Sequence, residues 1–224
     1  MKSFSHPVYI IFLLVLGTAS AQVPPGEGEL KRYTGLHRAA AHGEVGEITG
    51  KTNLDARDGY GRTPLHVAAY RRQHAAMRAL VAAGANPNGL ENDRYDIVTI
   101  AAVANDVPTL KLALELGASA KNITSRYDGT ALIAAAHLGH AEVVRILIAA
   151  GAPLDHVNNL GWTALMESIV LGNGGPRHTE TLKALLEAGA NPNLADRGGR
   201  TPLAHARSRG YAGMVRLLEA KSSR

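Results

Sequence analysis

The chain is predicted to be all-α, a solenoid of about six stacked helix–turn–helix units with β-turn fingers between them. Three observations predict this. A threonine-led string with an aliphatic third residue returns along the chain, most often 33 residues apart. Seven residues after that third residue, glycine or asparagine stands in five of the six copies. Most units then close on a glycine followed by a short turn. The composition agrees: 46% hydrophobic residues can fill a core, and 24 glycines suit short helices joined by tight turns better than a large mixed sheet.

Residues 1–21 have the layout of a secretory signal. Lys2 gives a positive start, residues 8–16 are apolar, and Ala19-Ser20-Ala21 offers small residues for cleavage before Gln22. The apolar run is well short of the roughly 20 residues a membrane span needs, so no membrane insertion is expected once the signal is removed. Residues 22–32 read as a short linker and 33–224 as the repeat domain, with units near 33–57, 58–90, 91–124, 125–157, 158–195 and 196–221. The absence of cysteine removes disulfides, a thiol nucleophile and a cysteine metal site. It leaves the compartment open, since oxidising spaces permit disulfides without requiring them. A periplasmic location is expected, with secretion to the exterior as the alternative.

The repeat is built from simple parts. Leu36, Leu65, Val98, Leu132, Leu165 and Leu203 occupy the third position of the string, at spacings of 29, 33, 34, 33 and 38. The leading threonine can cap the first helix, and proline fits directly behind it. Alanine pairs such as Ala68-Ala69 let helices approach closely. The first helix must then reverse into the second through a left-handed residue, expected at Gly43, Arg72, Asn105, Gly139, Gly172 and Gly210. Arg72 is the exception there, and its replacement by glycine is expected to stabilise. The second helices carry apolar residues at helical spacing, as in Val144-Arg145-Ile146-Leu147-Ile148, and stop at Gly84, Gly117, Gly151 or Gly189. The short first spacing reads as end-capping, and the fifth unit carries extra residues within 173–179.

With Thr63-Pro64-Leu65-His66 and the closing strings Gly84-Ala85-Asn86-Pro87-Asn88 and Gly189-Ala190-Asn191-Pro192-Asn193, the sequence resembles the ankyrin-repeat family over about residues 33–221. The resemblance implies units that cannot bury their apolar faces alone and depend on their neighbours. It implies structural hydrogen bonds from His37 and His66. It also implies a protein partner, held by the finger tips and the exposed ends of the first helices. Mapped onto this chain, the finger positions are Tyr33, Tyr60, Arg62, Tyr95, Arg126, Tyr127, Trp162, Arg197 and Arg200. The first-helix positions are His42, Tyr70, Arg71, His137 and Arg209. Outside the signal, the aromatic residues are Tyr33, Tyr60, Tyr70, Tyr95, Tyr127, Trp162 and Tyr211, and all but Tyr211 fall on this face. Aromatics and arginine are the side chains most enriched at binding hot spots.

Without Lys2, 23 lysines and arginines stand against 19 acidic residues. Arginine on the fingers suggests a partner with an acidic patch. Nucleic acid is not expected, because the excess is small and interspersed with acids. No catalysis, cofactor or metal is expected. Ser125, Ser168 and Ser208 lack a glycine-flanked elbow, Glu142, Glu180 and Glu187 lack a carboxylate partner, and residues 172–175 lack the lysine of a phosphate loop. His137 and His140 make an incomplete ligand pair. The leading reading is a monomeric periplasmic scaffold, either accessory to an enzyme or an immunity protein against a toxin. Alternatives are a histidine-based metal- or haem-binding or enzymatic protein, and a secreted effector that binds a host protein.

Overall fold

The computed structural model describes residues 22–222, so the expected signal lies outside the described residues. The chain forms α1 (Glu27–Arg32), α2 (Gly35–His42), α3 (Pro64–Tyr70), α4 (His74–Ala82), α5 (Ile97–Val103) and α6 (Val107–Glu115). It continues with α7 (Ala131–Leu138), α8 (Ala141–Ala149), α9 (Ala164–Val170), α10 (Pro176–Glu187), α11 (Pro202–Ser208) and α12 (Ala212–Ser222). The fold is all-helical, with one isolated bridge, Thr124 to Gly129, among the described residues. No helix among them is long and apolar enough to cross a membrane.

Each first helix starts where the repeated threonine places it. Thr63, Thr130, Thr163 and Thr201 accept a hydrogen bond from the third backbone amide of their helices. The third copy, which has Asp96 where the others have threonine, keeps the function: Asp96 accepts from Thr99 N at 2.7 Å. Thr34 precedes α2 but makes no such bond.

The core runs the length of the stack. First helices contribute Leu65, Ile100, Leu132 and Leu165, and second helices contribute Leu80, Leu110, Leu147, Leu185 and Leu218, all essentially inaccessible to solvent. Truncating one of these leucines to alanine costs about 2–5 kcal/mol in comparable cores. Both ends are modified. In the first unit the second helix shrinks to a single 3₁₀ turn, Val45–Glu47, followed by buried Ile48. The stretch expected as a linker contains α1, which buries Leu30 against the stack.

The reversal between paired helices is left-handed at Gly43, Arg72, Asn105, Gly139 and Gly210, with φ between 52° and 74°. Gly172 departs from expectation: the extra residues move the left-handed turn to Gly174, φ 69°. Gly172 is needed for another reason, because a Cβ there would lie 2.0 Å from Ser168 O.

In the second, fourth and sixth units the residue after the reversal ties its unit to the one before, and in the fifth His178 of the insertion does so. Gln73 Nε2 donates to Ala41 O, and Tyr211 Oη donates to Gly172 O. Ring nitrogens of His140 and His178 bond Ala102 O and His137 O. These side chains satisfy carbonyls that a helix end leaves open. Asp106 stands in the same place but can only accept, and it pairs with Arg72 Nε at 2.9 Å. Arg72 is thus a reversal residue that supplies the donor its neighbour lacks. Within the insertion, Arg177 donates to Leu138 O at 2.8 Å, so Arg177 and His178 bind the preceding unit.

Candidate partner-binding surface

Five fingers project between the units, at residues 58–62, 91–95, 125–129, 158–162 and 196–200, and share one local design. The first residue's side chain accepts from the backbone amides of the third and fifth. Asp58 does this for Tyr60 and Arg62, and Glu91 for Asp93 and Tyr95. Ser125 does it for Tyr127 and Gly129, Asn158 for Leu160 and Trp162, and Asp196 for Gly198 and Arg200. The fourth residue is left-handed: Gly61, Arg94, Asp128, Gly161 and Gly199. Backbone bonds join successive fingers, from Asn92 N to Tyr60 O, Ser125 N to Arg94 O and Asn159 N to Tyr127 O. The two fourth-position residues that are not glycine face each other, Arg94 Nη1 lying 2.7 Å from Asp128 Oδ1.

This design divides the predicted finger residues by register. The second and third positions are tips. Tyr60 and Tyr127 are 44% and 40% exposed there, and Arg126 and Arg197 are also exposed. The fifth position stands directly before the N-cap of the next helix, so its side chain lies at the base against the stack. Tyr95 is 7% exposed and Arg62 is fully buried, and both are corrections to their expected role as partner contacts. Trp162, also at a base, is half-buried, while Arg200 is exposed on the last finger and donates to Ser208 Oγ.

Arg62 anchors the N-terminal end. Its guanidinium meets Asp58 Oδ2 at 2.7 Å, the carboxylate of Glu29 on α1, and Val23 O at 2.9 Å. Tyr33 is also not a finger residue. It caps α1, and its hydroxyl donates to Asp58 Oδ2 at 2.6 Å while its ring packs on His37. Burial would raise the Asp58 carboxyl, but bonds from Tyr33 and Arg62 more than reverse that and hold it below its ordinary range. Burial and the bond to Asp58 push the Tyr33 phenol up. The exposed edge of the cluster is the Tyr60 ring, which carries the Arg62 guanidinium 4.5 Å from its centroid.

Histidines set the bases. His37 Nε2 bonds Arg62 O at 2.9 Å, and His66 Nε2 lies 3.0 Å from Gly89 O and 3.2 Å from Tyr95 O. Since His66 Nδ1 accepts from Thr63 N, its other nitrogen carries the proton and the ring is neutral. Burial lowers His66 to about 4. On the last finger His205 Nε2 bonds Asp196 Oδ2 at 2.6 Å.

The first-helix candidates sit beside the fingers. Arg71 is exposed at the end of α3, and Tyr70 is half-buried, its phenol pushed up by burial and then by Glu91. His42 is exposed, and Arg209 is half-buried with Nη1 3.1 Å from His205 Nδ1. The arginine surplus is largely matched within the fold: Arg126 pairs with Asp93, Arg94 with Asp128, Arg145 with Glu180 and Arg207 with Glu219. Of the predicted arginines, Arg71 and Arg197 have guanidinium groups with no hydrogen-bond or ionic partner among the described residues.

Between the fingers and first helices of the third to fifth units lies an open groove, with Tyr127 and His137 in its wall. His137 Nδ1 is 3.5 Å from Glu167 Oε2. The finger clamps, Glu167 and His205 were missed from sequence. A signal existed for the clamps, since an oxygen-bearing side chain stands four residues before each base, but the changing residue type hides it.

Family profiles match residues 60–92 (ankyrin repeat), 98–196 (ankyrin repeats, 3 copies) and 176–219 (ankyrin repeats, many copies). The ankyrin repeat protein YahD of Escherichia coli (strain K12) is 32% identical over 189 residues, which is 81% of this chain and 92% of that one. An ankyrin repeat domain from Acinetobacter baumannii AYE superposes with a TM-score of 0.78 at 46% identity, covering 84% of this chain and 97% of that chain. A chain from the complex of a predatory endopeptidase of Bdellovibrio bacteriovorus with an immunity protein shares the fold, with a TM-score of 0.65 at 22% identity over 84% and 98% of the two chains. With the repeated caps, reversals and fingers, the profile matches and the likeness to YahD show that the chain belongs to the ankyrin-repeat family.

Proposed function

We propose that the protein is a non-catalytic scaffold of the bacterial periplasm that holds a partner protein along its finger tips and the adjoining ends of its first helices. The observation that carries this reading is the state of the tips. Tyr60 and Tyr127 expose large rings on two fingers of one ridge, and Arg71 and Arg197 offer guanidinium groups without an internal counter-ion. Rings and unpaired guanidiniums are the groups that contribute most when a partner covers them. Arg71 and Arg197 favour a partner that brings carboxylates to the rim. Export is supported by the signal-like residues 1–21, and bacterial origin by the relatives in Escherichia coli and Acinetobacter.

The test is affinity capture from a periplasmic extract with the unaltered protein and with the triple variant Tyr60→Ala, Tyr127→Ala, Arg197→Ala. Loss of one captured protein from the variant, at a matched melting temperature, is expected. A partner retained equally by both would overturn the proposed face. Recovery of the protein from the medium rather than the periplasm would overturn the location.

A further inference from the structure

The groove beside the third to fifth units holds a buried carboxylate with one oxygen that takes no hydrogen bond among the described residues. Its half-buried walls are aliphatic, from Val103, Leu138, Leu160 and Leu171. Glu167 is the single carboxylate among the described residues that line it, and no lysine or arginine lines it. The residue is 4% exposed. Its Oε1 accepts from Asn158 Nδ2 at 2.8 Å, while the nearest ionisable group to Oε2 is His137 Nδ1 at 3.5 Å.

The bond to Asn158 is structural, since it orients the amide that clamps the fourth finger. The corresponding helix position in the last unit is His205, which serves Asp196 in the same way. Elsewhere the position holds Arg38, Val67, Ile100 and Ala134. A glutamine at 167 would serve Asn158 equally, with one oxygen and no buried charge. Burying a carboxylate is costly unless a cation meets it, and the only basic group in the groove lining is His137, 3.5 Å from Oε2 and a cation only when protonated. One residue of this chain already reaches into the groove, Gln22, whose Nε2 donates to Thr99 O at 3.1 Å.

We propose that the groove takes an extended segment of the partner protein and seats one of its arginine or lysine side chains on Glu167 Oε2. The inference rests on the scaffold reading and names the partner's chemistry at this place. The stem of the side chain lies along Leu138 and Leu160, and its charged head reaches the carboxylate, the arrangement long basic side chains adopt over apolar surface. Basic residue in the groove and acidic residues at the rim then define the orientation of the bound segment.

The probes are two capped tripeptides, acetyl-Leu-Arg-Leu-amide and its citrulline counterpart, which keeps the shape and removes the charge. Each is titrated into the purified protein and followed by amide chemical shifts. The arginine peptide is expected to move Ile133, His137 and Glu167 and to bind about tenfold or more tightly than the citrulline peptide. Glu167→Gln should erase that difference while melting as the unaltered protein does. Equal binding of the two peptides, shifts confined to Asp93 and Asp128 on the rim, or no binding up to about 10 mM would overturn the inference. Should Glu167→Gln fail to fold, the peptide pair on the unaltered protein decides. A lost groove site with tip-dependent capture intact sinks this inference alone, whereas capture unaffected by the tip variant sinks the scaffold face.

Discussion

Tyr95 and Tyr127 stand on adjacent fingers, and by residue type alone they belong to one class. Tyr95 occupies the fifth position of its finger, next to the N-cap Asp96, and is 7% exposed. Burial, with the carboxylates of Asp93 and Glu91 adding to it, pushes its phenol up to about 12. Tyr127 occupies the third position of the next finger and is 40% exposed. Two places of register separate a side chain that supports the stack from one that is offered to a partner. Arg62 and Arg197 repeat the contrast, the first buried among carboxylates and the second at a tip in solvent.

The largest expected effect that would break this comparison lies at a base. Arg62→Ala removes the cation that joins α1, the first finger and residue 23, leaving Glu29 and Asp58 facing each other. Truncating one member of a buried ion cluster costs about 3–5 kcal/mol, so a denaturation midpoint lowered by that amount is expected. A loss below about 1 kcal/mol would place Arg62 with the solvent-facing arginines instead.

A slightly smaller effect comes from pH. His66 sits at about 4 in the fold against 6.5 in the unfolded chain. As pH falls the unfolded chain takes the proton first, so the contribution is full above about 6.5 and is lost progressively down to about 4. That amounts to about 3 kcal/mol. Unfolding free energy measured from pH 7 to pH 4 should fall accordingly, and His66→Gln should flatten the slope. An unchanged slope would remove His66 from the account of the bases. The smallest effect is at a reversal. Arg72→Gly relieves a left-handed arginine, worth roughly 1–2 kcal/mol, and gives up an ion pair whose arginine arm is exposed, worth about 0–1 kcal/mol. A gain of no more than about 2 kcal/mol in a thermal melt is expected, and a clear loss would show that the pair with Asp106 outweighs the strain.

Much of the fold was legible because it depends on short-range rules. A threonine cap, a left-handed reversal and a closing glycine each need few residue types, so their period shows in one sequence. Arg72 looked like a defect because its reason, Asp106, lies in the next unit and acts through a side-chain pair. Gly172 was misplaced because the insertion shifts the turn to Gly174 without removing the older glycine. The site was less legible. Which residue faces solvent depends on the register within a finger, and that register is set by clamps whose identity changes from Asp58 to Glu91, Ser125, Asn158 and Asp196. Composition located the ridge, but it could not separate Tyr60 from Tyr95.

The most direct test of that separation needs no partner. Denaturant unfolding of Tyr95→Ala and Tyr127→Ala, measured side by side, should show a loss of about 3 kcal/mol or more for the first, typical of a buried aromatic. For the second, a loss within about 0.5 kcal/mol is expected, typical of an exposed one. Equal losses, or a larger loss for Tyr127→Ala, would contradict the division of each finger into a supporting base and a free tip.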